Sequence, residues 1–153
     1  MTVLNIFEKE VADGIVARIN SLNTSNLAQW GKMDVAQMLA HCSVTYEMIY
    51  DNNHSAPNFF LKFILKNFVK RSLTDATTPY KKNSGTAPAF IIKGDKDFDT
   101  EKKRLVDFIQ KTQQLGEAHF DGKASLSFGN LSKVEWSNLM YKHLDHHLTQ
   151  FGV

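Results

Sequence analysis

Two histidines four positions apart, His143 and His147, are the residues of this chain best placed to do chemistry together. They fall in the run 136–151, which contains no glycine or proline and is followed by Gly152. Ser132 and Glu135 just ahead of it have the spacing of a capping box, so the pattern predicts a helix across the run. Side chains four apart on a helix are neighbours on one face, and the two imidazoles can therefore reach a common point. At roughly 100° per residue they share that face with Trp136, Met140, Leu144 and Phe151, while Lys142, Asp145 and Thr149 fall mainly away from its centre. An imidazole in an apolar stripe needs a partner, because leaving a buried polar group unpaired costs about 1–3 kcal/mol. A shared metal ion is one such partner. A satisfied core pair or a surface pair is the other reading that the spacing permits.

A third ligand has to come from another element, and His41 is the candidate. The run 34–49 reads as an amphipathic helix with Asp34 as N-cap and Gln37 in the capping-box position. Its apolar stripe passes through Val35, Met38, Leu39, Cys42, Tyr46 and Ile49, and His41 lies at the edge, where it can look into a cleft between helices. Three neutral imidazoles with an open position form a known catalytic zinc arrangement. His146 reads as a flank residue of the last helix, and His54 and His119 fall in loops or helix ends and are expected to be solvated. Cys42, the single cysteine, turns by roughly 100° from His41 toward the stripe centre and reads as a packed core thiol; a nucleophile or soft ligand is the alternative.

Around these residues helical periodicity dominates. Phe7, Val11, Ile15, Ile19 and Leu22 define a first helix ending near Asn23, and a polar connector with Trp30 and Gly31 leads to the His41 helix. Phe98, Leu105, Phe108, Ile109, Thr112 and Leu115 share a face of a third long helix, which is expected to stop at Gly116. The His143 helix is the fourth. Four long amphipathic segments without alternating strands predict an all-α chain, a helix bundle whose interior can assemble ligands from facing helices.

Between the second and third helices lies an insertion. The segment 58–73 carries Phe59, Phe60, Leu61, Phe63, Ile64, Leu65, Phe68 and Val69 among Lys62, Lys66, Lys70 and Arg71. A basic amphipathic helix can lie on a membrane, but one so apolar around its circumference is expected to be a fifth helix buried against the bundle, with a homodimer contact as the nearest rival and membrane contact third. The stretch 74–94 reads as a long loop with a short extended piece at 89–93. Loops of that length often serve as lids, and this insertion is expected to border the metal cleft.

Composition sets the remaining bounds. The 153 residues suit a single domain, and a formal net charge of +2 with 22% charged residues gives no basic tract for nucleic acid. A lone cysteine, no secretory-type N-terminal pattern and no apolar run of about 18 residues lead to the expectation of a soluble, cytoplasmic protein.

The strings Trp-Gly-Lys-Met-Asp-Val-Ala-Gln-Met-Leu-Ala-His, ending at His41, and His-Leu-Asp-His-His-Leu-Thr-Gln-Phe-Gly, from His143 to Gly152, resemble those of the DinB/YfiT-like superfamily of metalloenzymes, and within it a subfamily described as a domain of unknown function. The resemblance covers nearly the whole chain in helix order. It implies a four-helix bundle, and in this chain the additional helix and long loop are inserted between the second and third bundle helices. It also implies a divalent metal, zinc or nickel, held by one histidine of the second helix and two of the last, which by motif are His41, His143 and His147. Relatives that use low-molecular-weight thiols make such a thiol one option for a small-molecule substrate, although the insertion at 58–94 departs from the shortest members and fold kinship does not fix the reaction.

Two functions follow as expectations. In the first, an enzyme, the metal lowers the pKa of a bound water or thiol for transfer or hydrolysis. The His-Glu-x-x-His protease motif is absent, since Leu144 follows His143, and Asp145 points away from the ligand face; Tyr46, Tyr50 or Gln150 would be positioning groups. In the second, a non-catalytic helical bundle uses the same site to bind a metal or small molecule, and closure by a fourth protein ligand would favour it.

Overall fold

The computed structural model describes residues 2–51 and 53–153. In chain order the elements are α1 (Lys9–Ser21), α2 (Val35–Tyr50), α3 (Phe59–Ile64), a π-helical turn (Leu65–Val69) continuing into α4 (Lys70–Thr74), a 3-10 turn (Pro88–Phe90), α5 (Phe98–Phe120), a two-strand antiparallel ladder of β1 (Ala124–Ser125) and β2 (Gly129–Asn130), and α6 (Lys133–Gln150). The chain is mostly helical. The four long helices α1, α2, α5 and α6 pack around one core that includes Ile15, Ile19, Met38, Leu39, Leu105, Ile109, Met140 and Leu144.

The helix ends follow from local chemistry. Asp34 accepts from the Gln37 amide while the Gln37 side chain accepts from the Asp34 amide, and Ser132 and Glu135 do the same at α6. At the other end of α6, Gly152 takes φ +80°, and the amides of Val153 and Gly152 return to the carbonyls of Leu148 and Thr149. That pair of bonds is a Schellman closure, which requires a left-handed residue at this position. Arg18 of α1 then clasps the same end, donating to Asp145 at 2.7 Å and to the Val153 carbonyl at 2.8 Å.

α2 is more deeply placed than an amphipathic stripe implies. Twelve of its residues are buried, from Val35 through Glu47, because α5, α6 and the 3-10 turn cover it on different sides. In α5, Leu105, Ile109 and Thr112 are buried as the periodicity predicts, whereas Leu115 is exposed. The helical conformation breaks at Gly116, at φ 73° and ψ 170°, and one further turn follows to Phe120. Of the piece at 89–93, Ala89 and Phe90 belong to the 3-10 turn and Ile91 is extended.

The insertion departs most from expectation. Burial of the whole segment 58–73 is not what forms: Phe59, Phe60, Phe63 and Phe68 are exposed. Packing against the long helices is concentrated in α4, which lies on α6 through a 2.7 Å Lys70–Glu135 ion pair and a bond from the Asn138 amide to the Thr74 carbonyl. Lys142 explains the anchoring. It is fully buried on α6, and its Nζ donates to the carbonyls of Ser72 at 2.9 Å and Asp75 at 2.6 Å, satisfying free carbonyls at the end of α4. No helix among the described residues is long and apolar enough to cross a membrane.

Candidate metal centre

His41, His143 and His147 come together between α2 and α6, each offering one ring nitrogen within 4.8 Å of the others. The closest pair is His41 Nε2 and His143 Nε2 at 3.0 Å. His41 and His147 are buried and His143 is partly buried. The two α6 histidines are brought together by their i, i+4 spacing; His41 arrives only because α2 packs on α6.

What surrounds the rings decides which nitrogen faces inward. His41 Nδ1 lies 2.8 Å from the Phe90 carbonyl, which can only accept, so Nδ1 carries the proton and the Nε2 lone pair is free. His147 Nδ1 lies 2.7 Å from Gln150 Oε1. The Gln150 amide is itself oriented, because its Nε2 donates to the Trp30 carbonyl at 2.6 Å, so Oε1 accepts from His147 Nδ1 and leaves the Nε2 lone pair of that ring free as well. His143 Nδ1 sits 3.1 Å from the Thr45 hydroxyl, which can donate or accept and so serves either tautomer of His143. Outer hydrogen bonds of this kind hold ligand imidazoles in orientation and raise their basicity toward a metal.

Desolvation and mutual repulsion keep the rings neutral. Burial lowers the pKa of His41 against the opposing pull of the Phe90 carbonyl. Burial, reinforced by charge on His147, His41 and His146, holds His143 well below the usual histidine range. Burial and the His41 charge bring His147 down to about 3. Neutral imidazoles are the protonation state that metal binding requires; at the 3.0 Å contact the His41 Nε2 lone pair accepts from His143 Nε2, whose proton a metal would displace.

The long loop covers this cluster. The Phe90 ring stands 5.4 Å from His41 and 5.8 Å from His143 between ring centres, and Tyr80 stands 6.4 Å from His143. His146 is outside the cluster, wedged between Trp30 and Tyr80. The insertion therefore meets the site through its loop rather than through its phenylalanine-rich helix.

Gln150 is at the centre, as one of the expected positioning groups; Tyr46 and Tyr50 are not. Tyr46 stacks on Phe108 in the core, and the Tyr50 hydroxyl bonds Thr112 at 2.7 Å. Asp145 is engaged by Arg18 and turned away. Cys42 is buried, and desolvation pushes its thiol well above the ordinary range, which leaves it a packing group. His54 is not simply solvated: its Nε2 lies 2.6 Å from Glu47, a buried carboxylate that Arg104 also contacts. His119 is exposed at a helix end.

Four contributors lie outside the expected site residues. Thr45 is four residues beyond His41 and thus on its helical face, a signal that was available in the sequence. The Phe90 and Trp30 carbonyls carry none, since main-chain atoms are the same at every residue. Gly31 has a steric signature instead: at φ +84°, a Cβ there would lie 2.6 Å from Gln150 Nε2. Only glycine leaves room for the amide that orients His147.

The chain belongs to the family described as Protein of unknown function (DUF1569), which matches residues 7–152. No curated protein and no solved structure matches it.

Proposed function

We propose that this member of the DUF1569 family is a divalent-metal-dependent enzyme of the DinB/YfiT-like type, a single-domain bundle that holds zinc or nickel through His41, His143 and His147. The observation that carries the reading is the inward convergence of ring nitrogens whose outer partners, the Phe90 carbonyl, Thr45 and Gln150, are already in place. Three protein ligands without a thiolate or carboxylate in the cluster favour a site with positions left over for substrate. When bound, the ion would lower the pKa of a water or a low-molecular-weight thiol and so supply a nucleophile near neutral pH.

The chain's own residues do the rest. His41 and His147 present their Nε2 lone pairs while Nδ1 retains its proton on a fixed acceptor. Thr45 accommodates the proton of His143 at Nδ1 by switching its hydroxyl from donor to acceptor. Phe90 and Tyr80 exclude bulk water from one side, and movement of their loop would admit a small-molecule substrate. Asp145 is held by Arg18 and turned away from the three rings, so it does not serve as a general base there. Transfer or hydrolysis is the reaction class this set of groups supports.

Metal analysis of protein purified without an affinity tag, followed by a thiol-transfer and hydrolysis screen, tests the proposal. Stoichiometric metal with turnover that is lost in His143→Ala is the expected outcome. The cover of Phe90 over His41 and His143 favours a second reading, a non-catalytic metal- or small-molecule-binding bundle; tightly held metal with no turnover across the screen would select it.

A further inference from the structure

We propose that the helical rod spanning 59–74 is a docking surface for an anionic lipid bilayer, independently of what the metal centre does. Phe59, Phe60 and Phe63 fall within about 100° of one another around α3, and they are 88%, 72% and 54% exposed. Phe68, 74% exposed on the π-helical turn, lengthens the apolar surface. Single exposed apolar residues are ordinary on a soluble protein; a cluster of phenylalanines on one short rod marks an interaction face.

Charge selects the occupant. Between Asp51 and Asp75 the chain has no acidic residue and four cations, Lys62, Lys66, Lys70 and Arg71. Lys70 is engaged by Glu135, whereas Lys62, Lys66 and Arg71 join none of the ion pairs found among the described residues. A second copy of the chain seated on this face by two-fold symmetry would bring lysines toward lysines with no carboxylate in the segment to receive them. A lipid surface offers both complements in one layer, acyl chains for the rings and anionic headgroups for the lysines, whose long stems can lie along the apolar face while the ammonium stays at headgroup level. Attachment would be peripheral, since no helix among the described residues can cross the bilayer.

Co-sedimentation of the full chain with vesicles tests this, using pure phosphatidylcholine and a mixture of roughly three parts phosphatidylcholine to one part phosphatidylserine. The wild type is expected to bind the mixed vesicles and to lose at least about tenfold in binding on pure phosphatidylcholine, a preference weakened by salt. Two variants, Phe59→Ser/Phe60→Ser/Phe63→Ser and Lys62→Glu/Lys66→Glu, should each lose at least about tenfold on the mixed vesicles while keeping wild-type circular dichroism, because the altered side chains lie outside the core. Wild-type binding by either folded variant, equal binding to the two vesicle types, or no binding by the wild type overturns the proposal. So does sedimentation velocity showing a wild-type dimer that the phenylalanine variant makes monomeric, which would assign the face to self-association.

Discussion

Gly31→Ala should impair metal binding although Gly31 touches none of the three histidines. A Cβ at position 31 would stand 2.6 Å from Gln150 Nε2, closer than a carbon and an amide nitrogen can pack, and the backbone there, at φ +84°, is strained for any residue with a side chain. The Gln150 amide must move, which breaks its bond to the Trp30 carbonyl and withdraws the acceptor from His147 Nδ1. Losing an outer partner of a metal-binding histidine typically weakens the metal about 10–100-fold, or about 1.4–2.8 kcal/mol. Gln150→Ala removes the same acceptor directly and should cost a similar amount. In the double variant the new methyl has no amide to strike, so the two losses should not multiply, and zinc affinity should stay near that of Gln150→Ala alone. Zinc titration against a competing chromophoric chelator, with thermal melts confirming that each variant folds, reads the cycle. Wild-type zinc affinity in Gly31→Ala, or losses that multiply in the double variant, would refute the chain of contacts from Gly31 through Gln150 to His147.

Acid should destabilise the chelator-treated protein. The unfolded His147 imidazole titrates near 6.5 and the folded one at about 3, so above roughly pH 6.5 neither form is protonated and stability is complete. Below that only the unfolded chain takes up the proton, and stability falls with pH down to the folded value, by about 2 kcal/mol at roughly pH 5 from this group alone, with His41 and His143 acting in the same direction. Urea unfolding that is flat between about pH 7.5 and 5 would contradict the burial of neutral rings. His143→Ala should abolish most metal uptake, whereas His54→Ala, which loses only the bond to Glu47, should retain metal and lose on the order of 1 kcal/mol of stability; equal metal content in both would remove His143 from the centre. Lys142→Met should free the carbonyls of Ser72 and Asp75, cost about 1–3 kcal/mol and speed proteolysis within 74–94, and an unchanged digestion rate would show that the loop is anchored elsewhere.

The sequence alone determined what acts over a few residues. Both capping boxes, the i, i+4 geometry of His143 and His147, and the interruption of the third long helix at Gly116 depend on side chains and backbone within one or two turns, and all were legible as spacing. A motif resemblance pointed to His41, but spacing could place it only at a stripe edge. Tertiary structure decided the rest, because convergence and burial depend on which distant segments meet. His41 and His143 are 102 positions apart and touch only where α2 crosses α6. The Phe90 and Trp30 carbonyls that fix two of the rings are main-chain atoms without a sequence signature. Lys142 is buried because the end of α4 supplies it with two acceptors, and the phenylalanines of α3 are exposed because the rod packs on α6 by its other end. Hydrophobicity sets the cost of leaving a side chain in water, while packing decides whether another surface arrives to cover it.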